Sequence, residues 1–254
     1  MAERDPYVPG PAGPLIWVWI KAISYYVHVA LATLVHGSIG LPRALIWGRA
    51  GAQAVATGWI AYMLRAARWH FGVRYEIRGT PPSGDVIVAA KHQSFLDILA
   101  IAQACPQRAF VMKKQIMRVP IMGWFARKVG SVPIDRTRGA SARSAIVEAV
   151  RQAMPQGLGQ LIIYPEGTRT RPGEKRPYKG GAGMLYSETG LPCQPVATNA
   201  GMFWPKEGIR IRPGIAVIEF LDPIPAGLPE TELMERLPHV IEGASDALMA
   251  RAGL

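Results

Sequence analysis

Residues 85–105 read DVIVAAKHQSFLDILAIAQAC. Val86 to Ala90 are apolar in succession, with no polar alternation to mark a solvent side. Such a run is a strand buried on both faces. It stops at Lys91 and His92. Ser94 then opens a second pattern, with apolar side chains at Phe95, Leu96, Ile98, Leu99 and Ile101. Ser94 followed three positions later by Asp97 resembles a capping box at a helix start. The stretch therefore reads strand, turn, helix. A strand covered on both faces needs helices on both sides of its sheet, which points to an α/β fold.

The same alternation extends along the chain. Candidate strands lie at 73–78, 85–90, 109–113, 131–135, 160–165, 193–198 and 215–221. Candidate helices lie at 94–105, 120–129, 142–154 and 180–189, with a C-terminal helix near 230–250 that Pro238 is expected to interrupt. Continuous apolar strands between helices predict a mainly parallel mixed sheet flanked by helices over 73–254.

Upstream the composition changes. Residues 1–14 form a Pro/Gly-rich tail without the positive n-region of a secretory signal. Residues 22–42, AISYYVHVALATLVHGSIGLP, contain no Asp, Glu, Lys or Arg and stop at Pro42. As a helix these residues reach about 30 Å, the thickness of a bilayer core. Trp17, Trp19, Tyr25 and Tyr26 flank one end and Trp47 the other, as in an interfacial belt. Residues 52–72 are again apolar, and there Arg65, Arg68 and His70 lie beside Trp59, Tyr62 and Trp69. That mixture suits a helix lying among lipid headgroups. Segment 15–72 is therefore expected to be a helical membrane anchor, either spanning or inserted from one side. Two buried helices of a soluble domain are the alternative.

The chain has 254 residues, 49% hydrophobic and 19% charged, enough to bury a large core. With 29 Lys+Arg against 18 Asp+Glu its net charge is +11. That surplus favours an anionic partner: nucleic acid, a phosphorylated substrate or anionic membrane lipids. Nucleic acid accounts for the charge but not for the apolar N-terminus, and no zinc-finger or RNP1-like pattern occurs. No G-x-x-x-x-G-K-[ST] occurs either, which speaks against a P-loop kinase. Cys105 and Cys193 stand far apart with no C-x-x-C, so a reduced compartment fits and no zinc site is expected.

The chemistry gathers at strand ends, where an open α/β sheet places its site. Lys91 and His92 follow one strand, Asp135 and Arg136 another, and Glu166, Thr168, Arg169 and Arg171 a third. On a continuous helix five positions turn a side chain by about 140°, so His92 and Asp97 would not share a face. A strand-to-helix turn removes that obstacle. With Ser94 as N-cap, Asp97 reaches an imidazole just outside the helix and holds one ring N–H, leaving the other nitrogen as a base. The same Asp97 in S-F-L-D serves equally as an ordinary cap. Both readings stay open, and they are compatible.

H-x-x-x-x-D in KHQSFLD resembles the first motif of the glycerolipid acyltransferases, the family of the lysophosphatidate acyltransferases. KQIMRVPIMG followed by GSVPIDR (114–136) is similar to the second motif, YPEGTR (164–169) to the third and LPCQPV (191–196) more weakly to the fourth. Order and spacing agree over about 85–200. Lys91 stands where the family often has Asn, and Tyr164 where it often has Phe. The resemblance implies that His92 takes the proton of an acceptor hydroxyl attacking an acyl thioester, and that Asp97 orients it. It implies that Thr168, Arg169 and Arg136 hold the acceptor phosphate through charge-assisted bonds. Gly167 lets the backbone approach, and Glu166 binds acceptor hydroxyls or positions the loop. Lys91 is expected to add a phosphate contact. Lys114 is counted among the substrate-binding residues; with Lys113, Arg127 and Lys128 it is a solvated face or a contact for anionic lipid and donor phosphates. The expected acceptor is 1-acylglycerol 3-phosphate, acylated at the sn-2 hydroxyl to phosphatidate. Lysophosphatidylglycerol and lyso-ornithine lipid are alternatives, as is a non-catalytic lipid-binding protein on the same fold. The donor is acyl-CoA or acyl carrier protein, and no cofactor or metal is expected. The implied location is the cytoplasmic face of the inner membrane.

Overall fold

The run at 86–90 is the central strand of a seven-stranded sheet. A computed structural model describes residues 5–134 and 140–254, with the backbone alone for 140–145 and Gln156. Its strands are β1 (Val73–Arg78), β2 (Val86–Ala90), β3 (Arg108–Lys113), β4 (Val132–Ile134), β5 (Gln160–Ile163), β6 (Cys193–Thr198) and β7 (Gly214–Phe220). They lie in the order β1-β7-β6-β2-β5-β3-β4. Every neighbouring pair is parallel except β6 and β7, so β1 and β7 run against the other five strands.

All five residues of β2 are buried. Val86, Val88 and Ala90 face one core, with Leu96, Leu99 and Ile162. Ile87 and Ala89 face the other, with Leu161, Leu185 and Leu237. The period of two thus feeds both faces of the sheet. Burying each Val or Ile contributes about 1.5–3 kcal/mol, so β2 anchors both layers. The layers are built from α3 (Phe95–Ala104) and the short α7 (Ala200–Phe203) on the first face, and α5 (Ala140–Ala153), α6 (Gly181–Thr189) and α8 (Glu230–Arg251) on the second. A short α4 (Met122–Lys128) follows a 3₁₀ turn at Lys114–Arg118.

Residues 15–71 fold as a hairpin of two helices, α1 (Leu15–Ile46) and α2 (Gly48–Phe71). Gly48 takes φ 55° where the chain reverses, a conformation glycine adopts without penalty. Small residues let the helices approach. A Cβ on Gly40 would come 2.4 Å from Val55. The hairpin shares the first core: Tyr25, Met63 and Phe71 pack with Val88 and Leu96. The outer side of α1 covers no other element among the described residues. Ile23, Leu31, Leu34 and Ile39 are each more than half exposed. Among the described residues α1 is the one helix long and apolar enough to cross a membrane.

Two expectations are corrected. Pro42 does not end α1, which runs to Ile46 because Ala44 is buried against Ala52 and Val129. Pro238 does not interrupt α8, a single helix of 22 residues. Proline removes one helical hydrogen bond, a cost of about 3 kcal/mol. The buried stripe Leu233, Leu237, Ile241 and Leu248 outweighs it.

Residues 5–14 strap the sheet's edge. Ile215 donates its N–H to the Pro6 carbonyl at 2.8 Å, and Gly10 donates to Pro213 at 2.8 Å. The Tyr7 ring lies between the Arg78 and Arg251 guanidiniums, at 5.4 and 5.3 Å.

Candidate active site

Because β2, β5 and β3 are parallel, the segments that follow them leave the same edge of the sheet. This brings together His92 after β2, the loop 164–170 after β5 and Lys114 after β3.

His92 sits in the turn between β2 and α3. Ser94 is extended (φ −145°, ψ 169°) and caps α3, its hydroxyl accepting the Leu96 N–H at 3.0 Å. Asp97 divides its oxygens. Oδ2 accepts the Gln93 and Ser94 N–H groups at 2.8 and 2.6 Å, and Oδ1 lies 3.0 Å from His92 Nδ1. A carboxylate only accepts, so Nδ1 carries the ring proton and Nε2 presents a lone pair. Nε2 has no partner among the described residues. Asp97 is fully buried, and the His92 side chain is 13% exposed. Tyr164 stacks on the imidazole, ring centroids 4.0 Å apart. Burial, then the nearby Asp97, holds the Tyr164 hydroxyl well above its usual range. That hydroxyl makes no hydrogen bond of ordinary geometry.

The loop after β5 is tied down from within. Gly167 has φ 70°, and a Cβ there would come 2.9 Å from the Lys179 ammonium. The turn requires glycine, while the Lys179 side chain is flexible enough to move aside. Glu166 is buried and both its oxygens are taken. Oε2 accepts the His92 N–H at 2.7 Å, and Oε1 lies 2.7 Å from Lys91 Nζ and 3.0 Å from the Thr170 hydroxyl. Burial raises its pKa, against the opposing pull of Lys91.

The sequence-predicted residues therefore separate. His92 and Asp97 meet. Thr168 and Arg169 are half-buried at the same edge, and Arg169, within electrostatic reach of Tyr26 on α1, makes no ion pair among the described residues. Lys114 is exposed. Arg136 lies outside the described residues. The Glu166 side chain is fully buried and bonded within the loop and to His92, so of its two expected roles the geometry favours positioning the loop. Lys91 is a correction. Its three N–H donors are taken by Glu166, by Glu242 at 2.8 Å and by the Glu174 carbonyl at 3.3 Å, leaving none for a phosphate. Glu242, Tyr178 and Lys179 were not anticipated. The only trace of Glu242 was a lysine at the end of a buried strand, a cation that needs a partner.

An apolar cavity of about 140 Å³ lies between the hairpin and the sheet, walled by Gly37, Val55, Trp59, Phe110, Met112 and Ile121. It is distinct from the polar site: neither His92 nor the loop 164–170 lines it. Met112, on its wall, stands near the end of β3, two positions before Lys114. Cys105 and Cys193 are free and buried, and burial pushes both thiols up to about 12. Among the described residues no group of His, Cys, Asp and Glu is placed to hold a metal ion.

The geometry supplies an imidazole held by a carboxylate, its Nε2 bonded to no hydroxyl or thiol among the described residues. A family model for acyltransferases matches residues 72–199, just over half of the 254 residues. The chain belongs to the acyltransferase family. This acyltransferase is 28% identical to the 1-acyl-sn-glycerol-3-phosphate acyltransferase of Pseudomonas aeruginosa over 198 residues, 77% of each chain. It is 26% identical to the alpha isoform of the same enzyme from Homo sapiens over 220 residues, 84% of this chain and 76% of that one. The crystal structure of the 1-acyl-sn-glycerophosphate (LPA) acyltransferase PlsC from Thermotoga maritima is similar at a TM-score of 0.75, covering 92% of this chain and 97% of that one. At 21% identity that likeness speaks to the fold.

Proposed function

We propose that this acyltransferase moves an acyl chain from a thioester, acyl-CoA or acyl carrier protein, to the sn-2 hydroxyl of 1-acylglycerol 3-phosphate. The observation that carries the reading is the His92–Asp97 contact, with Nε2 open beside Thr168 and Arg169. The names of the relatives support the acceptor. Nε2 takes the hydroxyl proton as the oxygen attacks the thioester carbonyl. The C–S bond breaks, and the imidazolium returns its proton to the leaving thiolate. Asp97 stabilises that imidazolium without taking its proton. Thr168, Arg169 and Arg136 hold the acceptor phosphate, and Lys114 is a further substrate contact. The apolar cavity receives an acyl chain, since its walls offer little for a polar group. The exposed face of α1 seats the enzyme in the cytoplasmic surface of the inner membrane, among anionic lipids.

The test is an acceptor panel in liposomes: lysophosphatidate, lysophosphatidylglycerol and lyso-ornithine lipid, each with both donor types. Free thiol is followed with a thiol reagent. The enzyme's own thiols are buried and protonated, so the signal reports donor cleavage. Lysophosphatidate is expected to give the highest kcat/KM, and His92→Ala to lose at least about 100-fold in turnover while still folding. Near-normal turnover by that variant, or no thioester cleavage with any acceptor, sinks the reading.

A further inference from the structure

Lys91 is 1% exposed, at the end of an apolar strand and immediately before His92. Burying an ammonium is costly unless every donor finds an acceptor. Here Glu166 and Glu242 lie 2.7 and 2.8 Å from Nζ, and the Glu174 carbonyl completes the set at 3.3 Å. Glu242 comes from the far end of the chain, on α8. It is fixed in turn by the Tyr178 hydroxyl at 2.9 Å. If stability were the only task, an apolar side chain would serve as well. The charge does something more local. It holds Glu166, and Glu166 holds the His92 N–H. On the other side of the same residue, the His92 carbonyl accepts the Thr170 N–H at 2.8 Å, and the Thr170 hydroxyl is 3.0 Å from Glu166. The main chain of His92 is thus clamped on both sides by one buried polar unit.

We propose that Lys91 is a positioning residue for the His92–Asp97 pair, acting through Glu166, with Glu242 as its second counter-charge. It touches no substrate. The charges facing this unit are Lys91, Glu166 and Glu242, with the Lys175–Asp246 pair exposed outside it. One ammonium serves two carboxylates, so the arrangement is asymmetric. Losing the charge of Glu242 leaves Lys91 and Glu166 matched. Losing Lys91 leaves two like charges facing each other, and Glu166 moves. Displacing a base by a fraction of an ångström is felt in turnover rather than in binding.

The test uses the full-length enzyme in detergent, with Lys91→Asn, Glu242→Gln and the double variant. Expected for Lys91→Asn is a kcat lower by about 30-fold, with both KM values within about threefold. Glu242→Gln alone is expected within about fivefold of wild type, because Lys91 and Glu166 stay matched; the double variant removes the facing carboxylate, leaves Glu166 to the His92 N–H and the Thr170 hydroxyl, and is expected to recover to within about fivefold. Histidine labelled with ¹⁵N gives a second readout. Only five histidines contribute amide signals, and that of His92 is expected to move in Lys91→Asn and return in the double variant. This signal does not depend on the acceptor, so a wrong substrate assignment and a wrong role for Lys91 are told apart. Turnover by Lys91→Asn within threefold of wild type overturns the proposal. So does a folded double variant that stays about 30-fold slow, which also decides the matter if Lys91→Asn alone does not fold.

Discussion

Asp97 gives one oxygen to the imidazole and the other to the turn that starts α3. The two contacts its spacing allowed, to the imidazole and to the helix start, are both made, on different atoms. Asp97→Asn separates them. The amide oxygen replaces Oδ2 towards the Gln93 and Ser94 N–H groups, and the NH₂ then faces His92 Nδ1. That donor forces Nδ1 to accept and puts the ring proton on Nε2, the atom that must receive one. Turnover is expected to fall at least 100-fold, while stability to denaturant falls by only about 1 kcal/mol. Loss of folding in parallel with activity would mean that the cap dominates. Arg169 is argued on the same scale. Arg169→Ala is expected to raise the acceptor KM about tenfold or more and to leave the donor KM alone. Arg169→Lys is expected not to restore it, because an ammonium lacks the planar fork. Unchanged acceptor KM in both variants removes Arg169 from the phosphate site. What sequence could not show at this scale is Lys91. Its type was visible, but its partner lies 151 positions away, and only the packing of α8 against β6 brings Glu242 near.

The elements were legible where one apolar period ran unbroken, as in β2 and α3. They were misjudged where proline stood inside a helix that the core holds together, at Pro42 and Pro238. Local propensity loses to burial there. The hairpin was legible as apolar, yet its attachment was not: Tyr25 and Phe71 close the same core as Val88. Removing residues 1–72 would therefore uncover one face of the sheet, so the anchor is better tested by single changes on its outer side. Ile23 and Leu34 are 59% and 54% exposed. Ile23→Asp and Leu34→Asp are expected to leave the melting temperature within a few degrees of wild type and to cut flotation with liposomes severalfold, since a charge replaces a buried side chain only if lipid covers it. Flotation equal to wild type would place the membrane contact elsewhere.

Over the whole molecule, the net charge of +11 and the apolar outer side of α1 give two kinds of attraction that respond differently to salt. Each basic residue near an anionic surface contributes about 1 kcal/mol, within a screening length of about 8 Å at physiological ionic strength. The apolar contribution is insensitive to salt. Raising salt is therefore expected to weaken binding to anionic vesicles until it equals binding to neutral ones, and not below. Complete release at high salt would mean that α1 stays out of the lipid.

The position of β1 has a consequence for the order in which the protein is made. β1 ends at Arg78 and pairs with β7 alone, which begins at Gly214. The strap at residues 5–14 likewise rests on Pro213, Ile215 and Arg251. On the ribosome, then, the strap and β1 are made well before the β7 residues they rest on. Until β7 is made, β1 has no strand beside it, although the hairpin already has Val88 of β2 and Leu96 of α3 to pack against. The first strand of the sheet therefore waits for the last one before it can pair.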